Sequence, residues 1–115
     1  MIMARLRKDD AKSKYLEFLI DSGADYTMIS SSYAEALGLK YEDIESKEIK
    51  VDLANNSFIH TKEAPFTMTI EGKDLTIPVL IANEELEPLL GRKGVFENYD
   101  ITFQEHQQRV IFKKI

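Results

Sequence analysis

The stretch Phe18-Leu19-Ile20-Asp21-Ser22-Gly23-Ala24-Asp25 places a carboxylate directly after an apolar run, with a hydroxyl and a glycine behind it. Such a run predicts a strand that enters the interior. We therefore expect Asp21 at a buried strand end, on a tight loop in which Gly23 permits a turn that a side chain would block. A buried carboxylate is either paired and used, or costly. Asp-Ser-Gly is also common turn chemistry, so a purely structural aspartate is the competing interpretation.

Length and composition describe one small domain with an acidic balance. The 115 residues suffice for a single core, so residues 1–115 are predicted to form one domain. Hydrophobic residues make up 43% of the chain, which is enough to drive folding, and the net charge of −5 argues against nucleic acid as the main partner. The chain has no cysteine, which excludes disulfides, thiol catalysis and thiolate metal sites.

The hydropathy pattern gives no sign of a membrane or of secretion. No apolar run approaches the roughly 20 residues of a membrane span. The first seven residues include two arginines, and they are too short and too charged for a signal peptide. We therefore expect a cytoplasmic protein that does not associate with membranes.

Period-two alternation of apolar and polar residues predicts a mainly β chain. The pattern is clear over residues 49–53, 66–70 and 75–81, and further short strands are predicted before and after them. Pro78 falls inside one of these runs and predicts an edge position or a bulge. So many short strands around one small core predict a closed or partly closed β-barrel.

One or two short helices are expected between the strands. Ser32 and Glu35 have the spacing of a capping box, and Gly38 should end the helix that they begin. A second short helix is expected between Gly91 and Tyr99. The polar stretch Ala54-Asn55-Asn56-Ser57 is predicted to be the exposed tip of a hairpin.

A second motif, Leu89-Leu90-Gly91-Arg92, follows much later in the chain. An apolar strand that runs into Asp-Ser-Gly-Ala, combined with Leu-Leu-Gly-Arg in so short a chain, resembles the retropepsin-like aspartic proteases, the group that includes the retroviral proteases. The resemblance covers nearly the whole chain, including a hairpin in the place of the family's flap. It implies the acid-protease fold, an aspartic-type endopeptidase activity, and no need for a metal or another cofactor.

The implied chemistry requires a homodimer. Aspartic proteases use two facing carboxylates that share one proton, because like charges about 3 Å apart cannot both ionise. The chain carries one such loop, since no other carboxylate follows an apolar strand into a glycine. The second carboxylate must therefore be Asp21 of another copy, on a two-fold axis. The substrate would be a peptide or protein, bound as an extended strand.

The resemblance assigns further roles by position. Ser22 should cross-link the two catalytic loops through its hydroxyl, and Gly23 and Ala24 should support the loop and let substrate approach. Asp25 should bind substrate backbone and pair with Arg92 near the subunit interface. Substrate binding is also implied for the flap-tip residues Ala54, Asn55 and Asn56.

The chain departs from the family pattern at three points. Ser22 stands where threonine is commoner, the flap tip carries two asparagines instead of glycines, and residues 101–112 add a hairpin that could form its own dimer interface. These departures leave open a non-catalytic dimer that binds peptides or another protein. A small β-barrel with a structural Asp21 is the remaining alternative. The two histidines, His60 and His106, are expected to be solvated rather than metal ligands.

Overall fold

The computed structural model of this chain describes residues 1–9, 12–53, 55–104 and 109–114. Over this part of the chain, nine strands are present: β1 Ile2–Asp9, β2 Lys12–Ile20, β3 Thr27–Ser30, β4 Ile49–Asp52, β5 Phe58–Ile70, β6 Lys73–Ala82, β7 Leu89–Leu90, β8 Tyr99–Gln104 and β9 Arg109–Lys114. The helical elements are α1, Ser31–Ala36, and a 3₁₀ turn, Tyr41–Asp43. The predicted mainly β fold with one or two short helices is confirmed. None of the described helices is long and apolar enough to cross a membrane.

Seven of the described strands form one sheet in the order β1-β2-β7-β3-β6-β5-β4, and β8 and β9 form a separate pair. The sheet curves back on itself because β1 pairs with β2 along one edge and with β5 along the other. The strands therefore make a partly closed ring, as the pattern of short strands predicted.

Strands β1 and β2 follow the alternation of their sequence. Ala4 and Leu6 of β1 and Leu16 and Phe18 of β2 are buried on the inner face. Side chains between them point outwards, as expected for period-two structure.

Pro78 is where the strand prediction was wrong. β6 is an interior strand, paired with β3 on one side and with β5 on the other, and its register with β5 has no bulge. Pro65 of β5 lies directly opposite Pro78. Proline has no amide hydrogen to donate. Because the two prolines face each other, both missing amide donors fall at a single residue pair between β5 and β6.

The predicted capping box at Ser32 and Glu35 is also wrong. Ser30 is the N-cap residue of α1 and makes no side-chain capping bond. Its hydroxyl instead hydrogen-bonds the Ser32 hydroxyl at 2.8 Å. Gly38 follows the helix with a φ of +93°, so it ends the helix as predicted.

The expected second helix is a run of turns. Val95 and Phe96 both donate backbone hydrogen bonds to the Arg92 carbonyl, at 3.1 and 3.0 Å. This is a single helical turn rather than an α-helix, since residues 91–98 adopt no regular helix in the described structure.

The C-terminal hairpin of β8 and β9 packs on the main sheet through Tyr99 and Phe112, with Ile101 beside them. The buried Tyr99 hydroxyl donates to the Ile70 carbonyl at 2.6 Å, and the Tyr99 and Phe112 rings meet edge to face at 5.4 Å. Burial raises the pKa of Tyr99. His106 lies outside the described residues.

The interior is divided into two clusters. The larger one lies inside the ring and includes Phe18, Phe66 and Val79. The smaller one consists of Met28, Ile59, Leu80 and Ala82, with Tyr26, Val51, Leu86 and Leu89 packed against it. Strands β3 and β6 are therefore covered on both faces, and the smaller cluster forms the floor of an open groove.

Candidate active site

The Asp21 loop leaves β2 alongside β7, and backbone hydrogen bonds hold it there. Leu19 N donates to Pro88 O at 2.9 Å, and Asp21 N donates to Leu90 O at 3.0 Å. Ala24 N then donates back to Asp21 O at 3.1 Å and closes the turn. The position of Asp21 is thus fixed by main-chain contacts with the second sequence motif.

The far side of the loop is bound to the residues after β7. Arg92 N donates to Ala24 O at 3.0 Å, and Lys93 N donates to Asp25 O at 2.8 Å. We call the segments 19–27 and 88–93, with the hydrogen bonds between them, the clasp. It brings the two sequence motifs into one unit.

Gly91 lies at the crossing point of the clasp. A Cβ at this position would lie 2.3 Å from the carbonyl carbon and oxygen of Tyr26, which no side chain allows. Gly91 N donates to the buried Thr27 Oγ1 at 3.1 Å. The Leu-Leu-Gly motif therefore needs its glycine for a close approach of two backbones.

The Asp21 carboxylate is exposed to solvent in the single chain, so the expectation of a buried strand end is wrong. The strand buries Phe18, but by Asp21 the chain has reached the surface. The Oδ1 atom accepts a hydrogen bond from Gly23 N at 3.0 Å. No side chain within the described residues pairs with this carboxylate.

Gly23 does not adopt a positive φ. A Cβ there would meet Asp21 Oδ1 at 3.4 Å, an ordinary contact. The prediction that a side chain at Gly23 would block the turn is therefore wrong for the chain itself. The proposed close approach of substrate backbone at Gly23 stays a prediction.

Arg92 and Asp25 do not form an ion pair within the described part of this chain. The Arg92 guanidinium donates to the Ser22 carbonyl at 3.5 Å and stacks on the Phe96 ring at 4.8 Å. Pairing of Asp25 with Arg92 at a subunit interface, and a cross-link through the exposed Ser22 hydroxyl, stay predictions.

Tyr26 and Lys93 form a contact that the sequence did not indicate. Lys93 Nζ donates to the Tyr26 hydroxyl at 3.1 Å and lies 4.4 Å from the centre of its ring. The hydrogen bond raises the pKa of Lys93, and the charges of Asp25 and Glu63 add to this effect. Tyr26 is half-buried and forms part of the groove wall.

The groove has a volume of about 700 Å³ and begins at the Asp21 loop. Asp21, Gly23, Ala24 and Asp25 all line it. On its other side lie the β4 residues and the segment after β6. The structure thus brings four residues of the quoted stretch to one opening.

The hairpin tip is closed by side-chain hydrogen bonds. The Asn55 amide oxygen accepts from both the backbone N and the hydroxyl of Ser57. Asn56 has a φ of +63°, a left-handed conformation that asparagine tolerates. Neither asparagine is among the residues that line the groove. Ala54 lies outside the described residues.

Sequence analysis missed the far rim of the groove. Glu84, Glu85 and Leu86 line it from the loop between β6 and β7. They belong to no motif, and an acidic loop is typical of any exposed turn. Their role became visible when β6 and β7 were placed beside β3.

The comparisons with known proteins agree with this geometry. Residues 11–93 match the family described as "gag-polyprotein putative aspartyl protease". The chain belongs to this retropepsin-like aspartic protease family. The matched segment contains the whole clasp and the groove-lining residues.

A solved retropepsin-like structure shares the fold. This is the EIAV protease in complex with the inhibitor HBY-793, with a TM-score of 0.59 at 17% sequence identity over 79% of each chain. No curated protein sequence matches the chain. At 17% identity, this similarity shows that the two chains share a fold.

No group of three or more potential metal ligands gathers within residues 1–9, 12–53, 55–104 and 109–114. His60 lies on the hairpin, where its Nδ1 is 3.2 Å from Glu48 Oε2. One exposed carboxylate on a rigid loop can accept or donate a proton, but it cannot do both at once.

Proposed function

We propose that this protein is an aspartic endopeptidase in which Asp21 from each of two identical subunits activates a water molecule against a peptide bond. The observation that carries the proposal is the state of Asp21. Its carboxylate is exposed, has no side-chain partner among the described residues, and stands at the mouth of an apolar groove on a loop that the clasp holds in place.

Two facing Asp21 carboxylates would hold one proton between them. The ionised carboxylate takes a proton from the water as its oxygen attacks the peptide carbonyl carbon. The protonated carboxylate donates its proton to the carbonyl oxygen. The carbonyl carbon thereby becomes tetrahedral and carries two hydroxyl groups. The carboxylate that took the water proton then passes it to the amide nitrogen, and the carbon–nitrogen bond breaks. The other carboxylate takes a proton from a hydroxyl of the tetrahedral intermediate, which leaves a carboxylic acid product and restores the shared proton.

The requirement for a second copy comes from the neighbourhood of Asp21. Asp25 is the next carboxylate along the chain, and it lies close enough to Lys93 to raise the pKa of that ammonium group. No hydrogen bond joins the Asp25 side chain to that of Asp21 within the described residues, so one chain does not supply the carboxylate pair. A dimer that joins two Asp21 loops supplies it instead, and dimerisation and activity then become one property.

The groove suits an extended peptide. The solved EIAV protease binds an inhibitor, HBY-793. We propose that peptide substrates occupy the corresponding opening here as an added strand, with main-chain hydrogen bonds for affinity and side-chain pockets for specificity. The β4–β5 hairpin would close over them as a flap and exclude water.

The test compares wild type with Asp21→Asn on a mixed peptide substrate across acidic to neutral pH. We expect cleavage to fall by about 10³-fold, because the amide cannot take part in acid–base catalysis. Asp43→Asn is the matched control, since Asp43 is equally exposed but lies outside the groove. Equal cleavage by wild type and Asp21→Asn would disprove the proposal.

Sedimentation provides the second test. Wild type should form a dimer, and a statine-type transition-state analogue should stabilise that dimer and inhibit cleavage. A chain that stays monomeric at high concentration, with or without the analogue, would contradict a shared catalytic site.

A non-catalytic peptide-binding dimer is the second candidate. One observation favours it: a single chain already supplies the apolar floor and one wall of the groove. A peptide could therefore bind there without a pair of Asp21 carboxylates. In that case Asp21→Ala would bind peptides with undiminished affinity, and wild type would cleave none of them over a broad pH range.

A further inference from the structure

The groove combines an apolar interior with an acidic rim. Its floor carries Met28 and Leu80, and the β4 strand adds two exposed apolar side chains, Ile49 at 37% and Leu53, just after β4, at 42% exposure. Apolar side chains left in water along one wall, above an apolar floor, favour an apolar group beside them. The centre of the groove therefore suits an apolar side chain of a ligand.

The far rim carries uncompensated negative charge. Glu84 and Glu85 are exposed, line the groove, and have no hydrogen-bonded or ionic partner among the described residues. No salt bridge within the described structure reaches the loop that carries them. Their charges are therefore available to a group that enters the groove.

The one lysine or arginine among the described lining residues is directed elsewhere. Lys50 pairs with His60 across the hairpin, and its ammonium lies 4.2 Å from the centre of the Phe58 ring. Side chains alternate along a strand, so Lys50 faces away from its neighbour Val51, which packs on the groove floor. Lys50 does not neutralise the rim.

The opposite end of the groove differs in charge balance. Asp25 lies close to Lys93, and Arg92 binds the backbone of the same loop. The negative charge of Asp25 is therefore partly balanced by Lys93 within the clasp. Two further carboxylates line the groove, Asp21 at this end and Asp52 on β4, and Asp52, like Lys50, faces away from its neighbour Val51. The negative charge of the far rim is that of Glu84 and Glu85.

We infer that the groove selects peptides in which an apolar residue is flanked by lysine or arginine, and that Glu84 and Glu85 determine this preference. The inference rests on the proposed function, because it concerns the peptide that the same groove would bind. A basic side chain beside the apolar one gains attraction at the rim, whereas an acidic one is repelled.

The experiment uses three fluorescent peptides that share an apolar centre and are flanked by lysine, glutamine or glutamate. Their binding is measured by anisotropy to the full chain carrying Asp21→Asn, so that no peptide is cleaved. We expect the lysine peptide to bind roughly tenfold more tightly than the glutamate peptide at low salt, with the glutamine peptide between them.

The decisive variant adds Glu84→Gln and Glu85→Gln to this protein. The control adds Glu45→Gln and Glu87→Gln, which remove the same net charge at exposed positions outside the groove lining. We expect the preference to fall to roughly twofold in the first variant and to stay near tenfold in the control.

Cleavage of the same peptides by wild type separates this inference from the proposed function. Equal affinity for all three peptides, an equal change in both double variants, or no binding of any peptide would overturn the charge preference. Cleavage without charge preference would leave the protease proposal standing and refute this one. A preference for the lysine peptide that depends on Glu84 and Glu85, with no cleavage of any peptide, would support the charge preference and refute the protease proposal.

Discussion

Two exposed aspartates of this chain, Asp21 and Asp74, are held in opposite ways. Asp74 accepts hydrogen bonds from Arg7 Nη2 at 3.0 Å and from the Thr69 hydroxyl, and these contacts join β1, β5 and β6 where the sheet closes. Asp21 accepts from one backbone amide of its own loop. The side chain of Asp74 is occupied, whereas at Asp21 the backbone is fixed and the carboxylate is left available.

This difference separates a structural carboxylate from a candidate catalytic one. A carboxylate that stabilises the fold is surrounded by donors, and these contacts lower the pKa of Asp74. A carboxylate proposed for chemistry must be positioned mainly by its backbone, and the Asp21 side chain accepts a single hydrogen bond, from Gly23 N. The clasp achieves this at Asp21 through main-chain hydrogen bonds and through Gly91.

The largest expected effect follows from Gly91→Ala. The added methyl group would overlap the Tyr26 backbone, at 2.3 Å from its carbonyl carbon and oxygen. We therefore expect a loss of about 3 kcal/mol or more in the free energy of unfolding. Urea denaturation followed by circular dichroism measures it. Gly23→Ala is the matched control and should lose less than about 1 kcal/mol, since a Cβ there would make an ordinary contact of 3.4 Å with Asp21 Oδ1. Equal losses in the two variants would show that the close approach of Gly91 to the Tyr26 backbone does not matter for stability.

A smaller loss is expected for Thr27→Val. The change keeps the shape of this buried side chain but leaves the Gly91 amide without its acceptor, which costs about 1–3 kcal/mol. The exposed Thr76→Val control should change the free energy of unfolding by less than about 0.5 kcal/mol. If the two variants unfold at the same urea concentration, the Thr27 hydroxyl does not support the clasp.

The smallest effect concerns pH and compares the two aspartates directly. The Thr69 hydrogen bond first, and then Arg7, lower the pKa of Asp74 below its ordinary value of 3.8. The stabilisation is therefore complete above pH 3.8 and is lost as the pH falls through the lowered folded-state value. Asp74→Asn should flatten this acid limb of the stability curve, measured by thermal melting between neutral and strongly acidic pH.

Asp21→Asn is the reference for the same melting series, because its carboxylate makes no contact with another element in the described structure. At a protein concentration at which sedimentation shows a monomer, it should leave the acid limb as steep as in wild type. At concentrations that give the dimer, cleavage should fall by about 10³-fold. A flattened limb in Asp21→Asn and a normal one in Asp74→Asn would reverse the assignment of the two roles.

The strands and the family were predictable because they depend on local order. Alternation marks a strand wherever one face is buried, and it located β4 and the long β5–β6 hairpin, while an apolar run located β2. The two motifs at Asp21 and Leu89 indicated the family because they are short and contiguous. Turn chemistry located the exposed hairpin tip for the same reason.

The errors arose where the folded backbone decides which partner or surface a residue meets. Pro78 looked like an edge residue because the sequence does not show that Pro65 will face it. Ser32 looked like a helix cap because the competing Ser30 hydroxyl is seen once the backbone is in place. Asp21 was expected to be buried because an apolar run does not show where the strand reaches the surface.

The order of residues alone settled which chemical groups this protein carries and the family to which it belongs, since motifs and alternation are written in neighbouring positions. Tertiary structure decided that Gly91 crosses Tyr26, that Asp74 is occupied while Asp21 is not, and that Glu84 and Glu85 border the apolar groove. These are contacts between segments far apart in the chain, and their geometry is fixed when the strands pair.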